Sequence, residues 1–280
     1  MGLFSRNIHF AGKAKLSSFR KVALGTWRTV GDPSVYAELE YNVEPAKEYL
    51  AKVSAMSGKK LTLTHFVGKA CAETIHRHPE LNCILRWGTL YRRSNIDIFF
   101  QVASDTKGED LSGTTVRNID QKNIVEIADD MQKKVKRIRD TGDIDYKEMK
   151  KTMKMIPPWL SRYLLNFSSW IMYTLNLWTK MLGVPKDPFG SIMITSLGSI
   201  GLERAFVPLV PYARIPCLVA IGALRETPLV IDGQIVAKPV ISLCVTFDHR
   251  VIDGMHASHM SKSLKKIFAD PEGELGLPKV

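Results

Sequence analysis

Little in this 280-residue sequence belongs to a secreted, membrane-spanning or metal-stapled protein. Its four cysteines, Cys71, Cys83, Cys217 and Cys244, lie far apart and form no C-x-x-C pair, so neither a disulfide framework nor a zinc ribbon can be read from them. No basic-then-apolar leader opens the chain, and Arg6 stands where a myristoylation signal needs Ser or Thr. Zinc-finger spacing, an RNP-type aromatic pattern, a leucine zipper and internal repeats are also missing, which removes the usual nucleic-acid modules. The expectation from these absences is a cytoplasmic protein in a reducing compartment, without a nucleic-acid partner.

What is present is an ordinary globular composition. The chain is 45% hydrophobic and 24% charged, and at this length it can bury a core without a disulfide or a metal. Charge is the one bias: 39 Lys+Arg against 28 Asp+Glu give a formal net charge of +11. That balance suits an anionic partner such as a membrane surface or a ligand carrying phosphates, and alone it does not choose between them.

Helical and strand periodicities alternate along the chain. Phe19, Val22, Ala23, Trp27 and Val30 recur at helical spacing after a Ser17 or Ser18 cap, until Gly31 and Pro33. Val35, Ala37, Leu39, Tyr41 and Val43 then alternate with polar residues, as in a half-buried strand. Helices are expected at about 44 to 57, after Thr62 or Thr64 as far as Pro79, over 123 to 139, and from Gly254 onward. Strands are expected at 82 to 86, 96 to 103, 191 to 196, 215 to 221 and 240 to 247. This mixture predicts an α/β sandwich, with residues 1–15 as an extended arm and 16–280 as one domain.

A helical insertion at about 152–187 interrupts that domain. Its core is seventeen uncharged residues between Arg162 and Lys180, broken by Asn166, Ser168, Ser169, Thr174 and Asn176. A spanning helix needs about 20 predominantly apolar residues, so this segment is not one. Residues 131–154 hold nine Lys/Arg and four acids, and a basic run feeding a Trp- and Tyr-containing stretch has the form of an interfacial anchor. The opposing reading is one or two helices packed on another protomer. If lipid is the partner, contact through 156–184 would place the protein at the inner face of the membrane.

The most specific string is Asp248-His249-Arg250-Val251-Ile252-Asp253-Gly254, at the end of an alternating strand and before the last helix. A histidine there, beside a turn that Gly254 permits, is held rigidly yet open to substrate. His256 and His259 follow at helical spacing and could be read with His249 as metal ligands. No carboxylate or cysteine cluster accompanies the three, so no metal is expected.

DHRVIDG resembles the DHRxxDG signature of the dihydrolipoyl acyltransferase components of 2-oxo acid dehydrogenase complexes. Ser18-Phe19-Arg20-Lys21 resembles that family's early S-x-R-[RK] stretch; Asp120-Gln121-Lys122 with Val125-Glu126-Ile127-Ala128 resembles its DQKGLxEIA helix; and the run from Ile194 to Gly201 resembles its ISNLGxxG strand and loop. The resemblance runs from about 15 to 275, excluding roughly 152 to 187. It implies the two-layer sandwich of the chloramphenicol acetyltransferase-like fold and a homotrimer with active sites between protomers, with trimers able to build a larger cage through a C-terminal anchor at Leu275 and Leu277.

The resemblance also implies a chemistry. Moving an acyl group between CoA and a thiol needs a base, because a thiol of pKa about 8.5 is little ionised at neutral pH. His249, of a residue type with an unperturbed pKa of about 6.5, is the expected base. A donor for the tetrahedral oxyanion is expected at Thr195. Asp253 is the motif's second aspartate, catalytic in placement but structural in action, and Arg20 is its expected partner; Arg20 and Gly254 then support the site. Coenzyme A or acyl-CoA is the expected substrate, and a lipoyl group enters only in trans, on a separate lipoyl-bearing protein. Ser196 stands where asparagine is usual, and residues 108–116 replace the family's GGLITPVV-like loop. Two rival functions are a small-molecule O- or N-acetyltransferase and a non-catalytic membrane-associated scaffold.

Overall fold

The computed structural model describes residues 5–14, 33–103, 111–141 and 157–278. The helix expected over 18–30, and with it Arg20, lies outside the described residues, as does the basic run from 142 to 154. The arm contributes two short strands, β1 (Ser5–Arg6) and β2 (Phe10–Lys13). The alternation after Pro33 becomes β3 (Ser34–Asn42), followed by α1 (Glu44–Ser57) and α2 (Leu63–Arg77), which His78 and Pro79 end. Next come the hairpin β4 (Cys83–Arg86) and β5 (Thr89–Arg93), then β6 (Ile98–Ala103), β7 (Leu111–Val116) and α3 (Ile124–Thr141). The insertion holds α4 (Pro158–Ser169), a π-helical turn (Trp170–Thr174) and β8 (Leu177–Trp178). The rest is β9 (Ile192–Ser196), β10 (Cys217–Ile221), β11 (Arg225–Ile231), β12 (Gln234–Asp248), α5 (Gly254–Ala269) and α6 (Pro271–Leu275).

Seven strands form the main sheet, in the order β3-β12-β10-β9-β6-β7, with β11 paired to the first half of β12. β9 runs parallel to both β10 and β6; the other pairings are antiparallel. Helices cover one face, where Phe66 meets Phe268 edge-on and Tyr41 stacks on Phe268 with ring centroids 4.2 Å apart. Period 2 sends Met193, Leu218, Ala220 and Cys244 to the other face, into a second apolar cluster with Leu197. The 202–213 loop, through Leu209, Val207 and Ala213, covers that cluster where helices do not. This is the two-layer α/β sandwich expected from the sequence.

The insertion has its own small core, in which Met172 and Tyr173 pack with Ile8 and Ile84. Reciprocal amide bonds sew it to the arm: Asn176 Nδ2 donates to the Ile8 carbonyl, Ile8 N–H donates to Asn176 Oδ1, and Asn7 Nδ2 donates to the Met172 carbonyl. β1 completes the seam by pairing antiparallel with β8.

Candidate active site

β12 delivers its last residues into a tight turn before α5. Asp248 and Arg250 form a buried bidentate pair, with Arg250 Nη2 2.7 Å from Asp248 Oδ2 and Nε 3.0 Å from Oδ1. Asp248 also accepts the Arg250 backbone N–H at 3.0 Å. Between these locked neighbours, the His249 backbone N–H donates to the Pro33 carbonyl and the ring Nδ1 lies 3.2 Å from the Ile252 carbonyl. A carbonyl only accepts, so this contact requires the proton on Nδ1 and puts the lone pair on Nε2. That tautomer is what a base acting through Nε2 needs. The ring is half-buried.

Asp253 caps α5. Its carboxylate accepts the His256 N–H at 3.0 Å, and its own N–H donates to His256 Nδ1 at 3.3 Å, completing a capping box. Gly254 is the first residue of α5. Its φ lies outside the left-handed region and nothing occupies the space where a Cβ would sit, so the turn does not demand glycine. His256 serves the cap and His249 the turn, so His249, His256 and His259 do not converge as ligands.

Thr195 sits half-buried near the end of β9, followed by Ser196 and the 3₁₀ turn Gly198–Ile200. The register fixes its distance from His249. Thr195 lies opposite Ala220, and Ala220 opposite Cys244, five residues before His249 on β12. At about 3.3 Å per residue and 4.8 Å per strand, roughly 16 Å separate them along the strands and about 10 Å across. One chain therefore does not bring Thr195 and His249 to the same small group.

The four thiols are buried. Burial pushes the Cys71 thiol up to about 12 and raises those of Cys217 and Cys244, so none of these three has the low pKa of a nucleophile. Sequence reasoning passed over Arg214, whose backbone is left-handed at φ 54°. It donates from Nε to Ser169 Oγ of the insertion, and burial followed by the charge of Arg250 lowers its pKa. The insertion thus reaches the neighbourhood of the DHR string. Ser169 and Arg214 gave no motif signal, because their meeting depends on how α4 packs on the turn Pro211–Ala213.

The 2-oxoacid dehydrogenases acyltransferase (catalytic domain) model matches residues 15–156 and 188–275 and skips the insertion. The dihydrolipoyllysine-residue acetyltransferase component of the Bacillus subtilis pyruvate dehydrogenase complex is 27% identical over 233 residues, which are 82% of this chain and 43% of that protein. The chain thus spans less than half the length of the curated relatives it matches. The cubic core of a pyruvate dehydrogenase multienzyme complex superposes with a TM-score of 0.65 at 22% identity, covering 96% of this chain and 94% of the other. Azotobacter vinelandii dihydrolipoamide acetyltransferase, studied for a serine, a histidine and an asparagine in its catalytic mechanism, gives 0.65 at 20% identity, covering 94% and 93%. Those likenesses establish the fold, and the model match, extending over both strands of the candidate site and the DHR turn, establishes that this chain belongs to the 2-oxoacid dehydrogenase acyltransferase catalytic-domain family.

Proposed function

We propose that the protein transfers an acyl group between coenzyme A and a dihydrolipoyl-type thiol presented by a lipoyl-bearing partner. His249 Nε2 takes the thiol proton, the sulfur attacks the thioester carbonyl, and the Thr195 hydroxyl donates to the resulting oxyanion. Collapse of that intermediate expels the other thiolate, which recovers the proton from His249. The single observation that carries this reading is the pairing of a tautomer-fixed histidine with a hydroxyl too distant to serve it within one chain. A neighbouring copy supplies the missing half, so the working unit is an oligomer, a trimer by likeness to the family, and trimers able to join into a cage through Leu275 and Leu277. The net charge of +11 favours a ligand with CoA's phosphates.

The test is a thiol-release assay of the purified protein with a panel of acyl-CoAs and with dihydrolipoamide, a lipoylated domain and water as acceptors. His249→Ala and Thr195→Ala are then mixed and allowed to exchange subunits. Each parent should be nearly inactive and the mixture should regain about a quarter of the wild-type rate, because a quarter of random interfaces carry both intact groups. No recovery after demonstrated exchange would mean that each chain holds a whole site. Transfer to a small alcohol or amine in preference to every thiol would favour the small-molecule acetyltransferase reading.

A second proposal concerns α4. Leu160, Tyr163, Phe167 and Trp170 recur at i, i+3, i+7 and i+10 and form an exposed apolar stripe, Tyr163 66% and Phe167 58% accessible. Among the described residues no helix is long and apolar enough to cross a membrane. The stripe suits the surface of an anionic bilayer, with the Lys/Arg-rich 131–154 run supplying attraction, and this supports a protein working at the inner face of the membrane.

A further inference from the structure

Outside the proposed acyl-transfer machinery, one group of side chains among the described residues brings together three residues able to ligate a metal: His78, Glu80 and His259. His78 caps the C-terminus of α2, Glu80 sits in the 3₁₀ turn Pro79–Leu81, and His259 lies in the second turn of α5. We infer that these three side chains form a binding site for a divalent cation of the zinc type.

Geometry carries the inference. Glu80 Oε1 lies 3.5 Å from His78 Nδ1 and 3.8 Å from His259 Nδ1, and the three ligand atoms fall within 4.8 Å of one another. Tetrahedral zinc with bonds of 2.0–2.1 Å holds neighbouring ligands about 3.3 Å apart, close to both of these separations from Glu80. His259 Nδ1 is inaccessible to water and has no hydrogen-bond partner, a costly state that a bound cation relieves. On the far side of the other ring, His78 Nε2 lies 2.9 Å from Ser263 Oγ, one turn beyond His259 on α5. Such an outer contact orients a ligating imidazole and leaves Nδ1 turned toward Glu80.

The donor set selects the class of ion. One carboxylate and two imidazoles are too few oxygens for calcium and suit zinc or its neighbours, with water completing the shell. The rings now stack with centroids 5.3 Å apart and planes 19° from parallel, so their lone pairs do not yet meet. Binding therefore turns one ring about its terminal torsion, a broad well, and the 41% exposed His259 has room to do so. The bound ion would clamp the end of α2 to the beginning of α5, the helix that starts directly after the His249 turn. This trio differs from His249, His256 and His259, and the inference departs from the expectation that the chain holds no metal.

The experiment uses the full-length, tag-free, chelator-treated protein titrated with zinc, and with cobalt as a visible-absorption probe. Expected are one equivalent bound per chain, absorption of tetrahedral cobalt, and a melting temperature raised by roughly 5 °C or more when zinc exceeds its Kd about a hundredfold. Glu80→Gln and His259→Ala should each weaken binding roughly tenfold or more, as loss of a ligand should if loss of an outer contact alone costs that much. His76→Ala, beside Asp120 and outside the trio, should leave it unchanged. If either variant does not fold, His78→Gln is read the same way. Failure to bind zinc at about 100 µM, or equal binding by parent and ligand variants, overturns the site.

Discussion

Replacing His249 by alanine removes a base and one bond of the turn, that from Nδ1 to the Ile252 carbonyl, while the Asp248–Arg250 pair and the backbone bond to Pro33 still hold the turn through other atoms. The expected outcome is loss of 10²-fold or more in acyl transfer with the fold and assembly kept and a melting shift of a few degrees at most, and a variant keeping more than about a tenth of the rate would remove His249 from that role. Thr195→Ala should lower kcat by about 10²-fold with little change in KM, whereas Thr195→Ser should stay active; equal losses would assign the effect to the methyl group. Asp253→Ala should cost about 1 kcal/mol through the lost cap, read as a melting shift of roughly 2–4 °C. Asp253→Asn keeps the cap, so a large melting shift there would point to a charged partner such as the expected Arg20. His249 and Asp253 could be singled out because their motif string is contiguous and lies where a strand hands over to a helix, whereas Thr195 was singled out by the family resemblance alone. The pairing of His259 with His78 and Glu80 was not legible, since about 180 residues separate residues that only the packing of α5 on α2 brings together.

Both α2 and α5 open on a capping box whose third helical residue is histidine, His65 in one and His256 in the other. In α2 the His65 ring accepts the Thr62 N–H through Nδ1, which it can do only when that nitrogen is unprotonated. Burial holds the His65 pKa below the ordinary value. The unfolded chain therefore takes up the proton first, so this contribution is fully present above about pH 6.5 and is lost as pH falls from there toward the folded pKa. His65→Gln keeps the box without titrating, and its melting temperature should fall less between about pH 7.5 and 5.5 than that of the parent. The insertion calls for point variants, because removing it would strip Ile8 and Ile84 of Met172 and Tyr173. Replacing Tyr163 and Phe167 by serine should abolish sedimentation with anionic vesicles at low salt while sparing the thiol-release rate. If the double variant instead breaks the oligomer, or the parent ignores such vesicles, the stripe is a protein interface. Among the strands, β3 and β12 were readable from strict alternation, while β5, β7 and β11 were not. β5 follows a turn with Trp87 and Gly88 both at positive φ, where tryptophan gives no turn signal. β7 carries Gly113, which reads as a break but is needed because a Cβ there would lie 1.9 Å from the Phe99 ring. β11 contains Pro228, tolerated because β11 pairs with β12 alone and forms an edge.

For the molecule as a whole, the seam between arm and insertion sets an order of events. Asn7 and Ile8 find their partners at Met172 and Asn176, 165 and 168 residues later. During synthesis at about 5–20 residues per second, the arm waits on the order of 10–30 s before those partners exist. Asn7 and Ile8, made long before these partners, are thus among the last residues to be placed, and Ile84 on the β4–β5 hairpin lacks Met172 and Tyr173 in the meantime. In a refolding pulse-labelling experiment the amides of Asn7 and Ile8 should gain protection from exchange later than those of β10 and β12, and a chaperone that shields nascent chains would find its longest-lived target at that hairpin.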